Sequence, residues 1–189
     1  MASPEGSTVA MRQRPLQARY RRDPATARTV KRVRTVHEAA SDALHGAVEA
    51  YGGPFEATRW RFGTDAKVGG FDDLPNSGHL LCAALAACGD NTLRMLADRL
   101  DVELTALTVD VVGHVDCRGC LAVDPDARVG FDRIDMEVRL EVAPGTDPRL
   151  CTLLEETAEQ LCVVLDTLRR GVPVHVSYAG QTPRRPAEA

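Results

Sequence analysis

Leu80 through Cys88 is an unbroken run of nine apolar or small residues, LLCAALAAC. No side of such a stretch suits water, so whatever it forms has to be buried. Asn76 and Ser77 precede it as capping residues, and Leu93, Met95, Leu96 and Leu100 continue its pattern at helical spacing. The spacing predicts one long helix, apolar nearly all round at its start. Its alanines leave room for a close neighbour.

A second helix is expected from Asp147-Pro148, an acidic cap followed by proline in the first turn. Leu150, Leu154, Thr157, Ala158, Leu161, Cys162, Leu165 and Leu168 mark its inner face, and Arg169-Arg170-Gly171 its end. Between the helices, Leu107, Val109, Val111, Gly113 and Val115 alternate with polar residues, and so do Ile134, Met136, Val138, Leu140 and Val142. Both runs predict half-buried strands of an antiparallel sheet. Val172, Val174, Val176 and Tyr178 predict a last strand. Upstream, Ala39 to Val48 has helical spacing, but Tyr51-Gly52-Gly53-Pro54 is a turn signal and Thr58, Trp60 and Phe62 alternate with Arg59 and Arg61. The preferred reading is a hairpin of strands near Ala43–Ala50 and Phe55–Gly63. The order β-β-α-β-β-α-β, with two apolar helices on a sheet, is an α+β layout.

Aromatics are 4% of the chain, so aliphatic side chains and alanine must fill the core. The domain is expected over residues 30–180. Residues 1–29, with Arg12, Arg14, Arg19, Arg21 and Arg22, read as a flexible basic arm, and 181–189 as a flexible tail. A net charge of -4 argues against a nucleic-acid partner, and the arm has no interleaved aromatics to stack bases. No run of about 18 apolar residues indicates a membrane span. Met1 to Arg22 has no apolar signal core, so a cytoplasmic protein is expected.

Six cysteines at irregular spacing do not make a disulfide scaffold. Cys88 lies where the apolar stripe turns polar at Asn91 and Thr92, the kind of border found at a pocket wall. Cys162 lies on the inner stripe of the second helix. If the helices cross at that level the two sulfurs meet; if not, both are buried thiols packing as small hydrophobes. Cys82, on another face from Cys88, reads as core, and Cys151 as a first-turn residue with nothing to support a role. Cys117-Arg118-Gly119-Cys120 reads as a turn that holds two thiols, with a redox dithiol or half a zinc site as the alternatives.

The run Leu74–Cys88, with Leu93–Ala97 after it, resembles the OsmC/Ohr (organic hydroperoxide resistance) superfamily, in which a similar helix leads to a reactive cysteine. Ala158-Glu159-Gln160-Leu161-Cys162 through Leu168, then Gly171-Val172-Pro173-Val174, resembles that family's second signature. The resemblance covers about Ala43 to Tyr178. It implies an α+β fold of antiparallel sheets with two long central helices, intertwined as a homodimer. It implies that Cys88 is the peroxidatic cysteine and Cys162 its partner thiol, acting on an organic, even lipid, hydroperoxide. No cofactor is expected beyond an external dithiol reductant such as a lipoyl protein. Two positions depart from the family: Val163 replaces a proline, and His79 replaces a glutamate that orients a catalytic arginine. His79 either joins the catalytic set, as a Cys–His pair, or is a solvated first-turn histidine. The arginine itself is open among Arg32, Arg34, Arg59 and Arg61. The other functional readings are a redox sensor that does not turn over, a dimer that binds a small apolar ligand, and a metal module on His114, Cys117 and Cys120.

Overall fold

A computed structural model describes residues 8–36 and 42–179. The helix expected around the apolar run, α2, spans Ser77–Leu100. Asn76 caps it by accepting from the His79 amide. Asp101, in the left-handed region at φ 56°, ends it by returning its own amide to the Ala97 and Asp98 carbonyls. Leu85, Gly89, Thr92, Leu93, Leu96 and Ala97 form its buried stripe. By length and apolar composition α2 also meets the measure of a membrane-crossing helix, at a mean hydropathy of 1.2, which the search for an unbroken apolar run did not register. Its buried stripe packs within its own chain.

Two long strands follow α2, β4 (Leu104–Val115) and β5 (Phe131–Val142). They pair antiparallel with Leu107 opposite Leu140, Val109 opposite Val138 and Val111 opposite Met136. The shared inward parity puts both apolar sets on one face, which lies against α2. Gly89 allows the close approach: a Cβ there would sit 2.4 Å from the Met136 methyl. The core gathers where α2 meets the following helix, around Leu93, Leu96, Ala97, Val102, Leu154 and Ala158, with Leu107, Val109 and Leu140 against it from the hairpin.

The second helix is broken where a continuous one was expected. One helix spans Pro148–Leu161 and another Val163–Arg170. Cys162 stands between them in an extended conformation (φ -72°, ψ 106°). In chain order with the short turn Cys117–Cys120 as α3, these are α4 and α5. Periodicity could not show the break, because one extended residue leaves the apolar spacing on both sides intact.

The hairpin before α2 is present as β2 (Gly46–Ala50) and β3 (Arg59–Phe62). A third strand, β1 (Val33–Val36), pairs with β2 from the other side. It was not expected, since four residues alternating as Val-Arg-Thr-Val carry little signal. These strands form a sheet separate from β4–β5, so there are two sheets rather than one. Residues 37–41, which held part of the ambiguous alanine pattern, lie outside the described residues, as do 1–7 and the tail 180–189.

Two further expectations are corrected. The basic segment is not an irregular arm over Val9–Arg22 but a helix, α1, capped by the Thr8 side chain. It rests on the second half of α2, where the Ala10 amide donates to Asp98 and Gln13 reaches the Met95 sulfur. The expected last strand is not one within this chain: residues 171–179 have no regular secondary structure and are exposed throughout. An alternating segment becomes a strand only where another strand is available to pair with it.

Candidate active site

Cys88 and Cys162 come together. Cys88 sits on α2 beside the buried stripe, three residues after Leu85 and one before Gly89, and is half-buried. Cys162 is 2% exposed at the α4–α5 break. The two thiols are close enough for each to feel the other electrostatically. The contact falls at the break, where Cys162 has left the helical conformation (φ -72°, ψ 106°).

Cys162 is held protonated. Burial pushes its thiol up, and the Cys88 sulfur adds to the rise. The amides of Leu165 and Val164, at the start of α5, point toward the sulfur and oppose the shift without closing a cap hydrogen bond. A thiol that keeps its proton is a poor first nucleophile.

Cys162 also lines a cavity of about 750 Å³ bounded by α2, β5, α4 and α5. Its walls include Leu85, Leu93, Met136, Val138 and Leu165, and the Arg169–Glu159 ion pair stands among its polar lining. Arg128, Asp132, Arg133 and Glu155 complete a lining that is apolar on the α2 and β5 side and charged elsewhere.

His79 and the arginines are placed elsewhere. His79 is exposed in the first turn of α2, with its ring Nδ1 3.0 Å from the Asn76 side-chain oxygen. Nine helical residues separate it from Cys88, which is about 13.5 Å of rise and the opposite side of the helix. Within one chain it does not meet the thiols. Arg34 and Arg59 flank Glu49 from the two neighbouring strands, at 2.7 and 3.1 Å. Their guanidinium groups hold the Glu49 carboxyl below the usual range, Arg34 first. Glu49 is 7% exposed, so the pair of arginines is what makes its burial tolerable. Arg34 also lies over the Tyr51 ring at 5.1 Å. Arg61 is exposed on β3, and Arg32, also exposed, immediately precedes β1.

Cys82 packs inward as expected, against Gly113 on β4. Cys151 is half-buried in the first turn of α4. His114 bonds to Asp135 and lies 3.1 Å from an Arg133 nitrogen. Among the described residues, no group of three or more potential metal ligands converges, so the metal module is not assembled at Cys117 and Cys120. Those two cysteines open and close α3, where a plain turn was expected.

A family model described as OsmC-like protein matches residues 70–177. The chain belongs to the OsmC-like family. Solved structures agree on the fold. An OsmC-like protein from Vibrio cholerae is 12% identical with a TM-score of 0.58, the match covering 74% of this chain and 94% of that one. One from Mycoplasma pneumoniae is 15% identical with a TM-score of 0.56, covering 76% and 89%. An organic hydroperoxide resistance protein from Elizabethkingia anophelis is 18% identical with a TM-score of 0.51, covering 76% and 91%. Comparison with curated proteins gives no match.

In this OsmC-like chain the matched segment contains both signature cysteines and both helices that carry them. The break at Cys162 was the feature that sequence reasoning missed. The one available signal was Val163, which stands where the family pattern has a helix-breaking proline.

Proposed function

We propose that this protein reduces organic hydroperoxides, lipid hydroperoxides among them, by a thiol cycle on Cys88 and Cys162, acting in the cytoplasm as a homodimer. The observation that carries the reading is the closeness of two thiols, Cys88 on α2 and Cys162 at the α4–α5 break, with Cys162 at the wall of a cavity. The Cys88 thiolate attacks the terminal oxygen of R–O–O–H. The O–O bond breaks, the alkoxide leaves and takes a proton as an alcohol, and Cys88 becomes a sulfenic acid. Cys162 then attacks that sulfur, the S–S bond forms, and the hydroxyl leaves as water with the Cys162 proton. An external dithiol, such as a lipoyl protein, restores both thiols by exchange and is itself oxidised to a disulfide. No cofactor, nucleic acid or membrane takes part.

The surface of the chain supports the homodimer. A compact protein of 20.4 kDa exposes about 8,800 Å²; this chain alone exposes 14,958 Å². Leu161, Val163 and the valines of 171–178 are among the large apolar side chains left in water. A second copy would cover them.

The test is to mix reduced protein with cumene hydroperoxide and follow both cysteines by mass spectrometry. Oxidation of Cys88 followed by a Cys88–Cys162 disulfide is the expected course. If Cys88 stays unmodified under excess peroxide, the reading fails. The cavity also favours a second reading, a dimer that binds a small apolar ligand or registers one oxidation without turnover. Continuous peroxide consumption with a dithiol present separates the two.

A further inference from the structure

Cys117 and Cys120 take no part in the cycle above, yet they are built as a pair. They are the first and last residues of α3, and the Cys120 thiol lies back along the turn, donating to the Cys117 carbonyl oxygen at 3.3 Å. Helical geometry puts residues three apart about 5 Å from Cα to Cα. A disulfide needs roughly 4.4–6.8 Å. The turn is held from several directions. Asp116 caps it by accepting from the Arg118 amide at 3.0 Å. The Arg118 guanidinium bonds to Asp116 and reaches Asp124 at 2.9 Å. Gly119 backs onto the strand side of the loop so closely that a Cβ would lie 2.2 Å from the Arg128 carbonyl oxygen.

The two thiols are not equivalent. Cys120 is exposed and Cys117 half-buried. Burial pushes the Cys117 thiol up, and the nearby Cys120, Asp65 and Asp116 push it the same way. An exposed thiol in front of a shielded, proton-holding one is the arrangement of an entering and a closing cysteine in disulfide exchange. Two ligands are too few for a structural zinc site, and no third gathers among the described residues.

We propose that Cys117 and Cys120 form a second redox-active dithiol, separate from Cys88 and Cys162, that exchanges with external disulfides through Cys120. The Cys120 thiolate attacks one sulfur of a disulfide R–S–S–R and expels R–S⁻, which takes up a proton. The Cys117 thiol then gives up its proton and attacks the Cys120 sulfur. The mixed disulfide breaks, the second R–SH leaves, and the Cys117–Cys120 disulfide remains. The dithiol has lost two electrons and two protons, and the external disulfide has gained them. An external dithiol reverses the sequence.

The full-length protein is equilibrated in glutathione redox buffers, with free thiols trapped by alkylation and mapped by mass spectrometry. In the wild type and in the Cys88→Ser/Cys162→Ser variant alike, the peptide holding Cys117 and Cys120 is expected to lose two hydrogens in one reversible step. Cys117→Ser is expected to trap glutathione on Cys120, while Cys120→Ser leaves Cys117 free. The proposal is overturned if both thiols alkylate at every buffer ratio. It is also overturned if Cys117 in Cys120→Ser takes glutathione as readily as Cys120 does in Cys117→Ser. The wild-type titration decides the first point without any variant, and serine at Cys88 and Cys162 keeps failure of the peroxide cycle from imitating failure here.

Discussion

Val174→Asp puts the homodimer to a quantitative test. Val172, Val174, Val176 and Tyr178 alternate along the sequence and are 59%, 78%, 71% and 98% exposed in the single chain. If a second copy supplies the strand that this segment pairs with, each becomes covered. Burying one valine side chain contributes about 1.5–3 kcal/mol. Aspartate forfeits that contribution and adds the cost of a desolvated carboxylate. The homodimer carries the substitution twice, so the loss is about 3–6 kcal/mol and, at 1.4 kcal/mol per tenfold, the dimer dissociation constant should rise by roughly 10²- to 10⁴-fold. Sedimentation velocity over a dilution series reads this directly. The wild type should run at twice the 20.4 kDa of the chain, and the variant should dissociate at correspondingly higher protein concentration. A wild type that is monomeric at micromolar concentration refutes the argument, and so does a variant that dissociates no more readily than the parent.

Cys162→Ser should stop the cycle after the first step, so that peroxide leaves Cys88 as a sulfenic acid that a dimedone-type reagent captures. Undiminished turnover with a dithiol would rule Cys162 out as the second thiol. Leu154 is fully buried between α2 and the β4–β5 hairpin, and Leu154→Ala should cost about 2–5 kcal/mol in a urea melt. A loss well below that range would mean the core closes around the gap. His45, between Asp42 and Asp73 at 2.9 and 3.0 Å, has its pKa raised above 6.5 by the Asp42 bond first and the Asp73 bond next. Its contribution to stability is therefore complete below pH 6.5 and lost as pH rises through the raised value. His45→Gln should flatten the pH dependence of the denaturation midpoint in that window, and an unchanged slope would show that the histidine is not its source.

The features legible in the sequence were those that depend on periodicity within one element. The α2 span, its Asn76 cap, the two long strands and the Asp147-Pro148 start of α4 all follow from apolar spacing and capping chemistry. The resemblance carried by Leu74–Cys88 and Ala158–Val174 named the two cysteines and the family. The helical nature of Val9–Arg22 was less legible, because nearly every residue outside its inner face is polar and a basic run reads as solvated chain. The placement of the four candidate arginines was not legible at all. Arg32, Arg34, Arg59 and Arg61 are equivalent as charges along a sequence, and only the pairing of β1, β2 and β3 shows that Arg34 and Arg59 are held on Glu49.

The sequence alone determined the class of fold, the buried helix and the family, because hydrophobic spacing and short motifs are local properties of a chain. Tertiary structure decided that one residue leaves the helix at Cys162, that its sulfur meets Cys88, and that 171–179 has no strand to pair with in its own chain. Those outcomes depend on which surfaces lie opposite one another, and residue order does not specify that until the helices and sheets have packed.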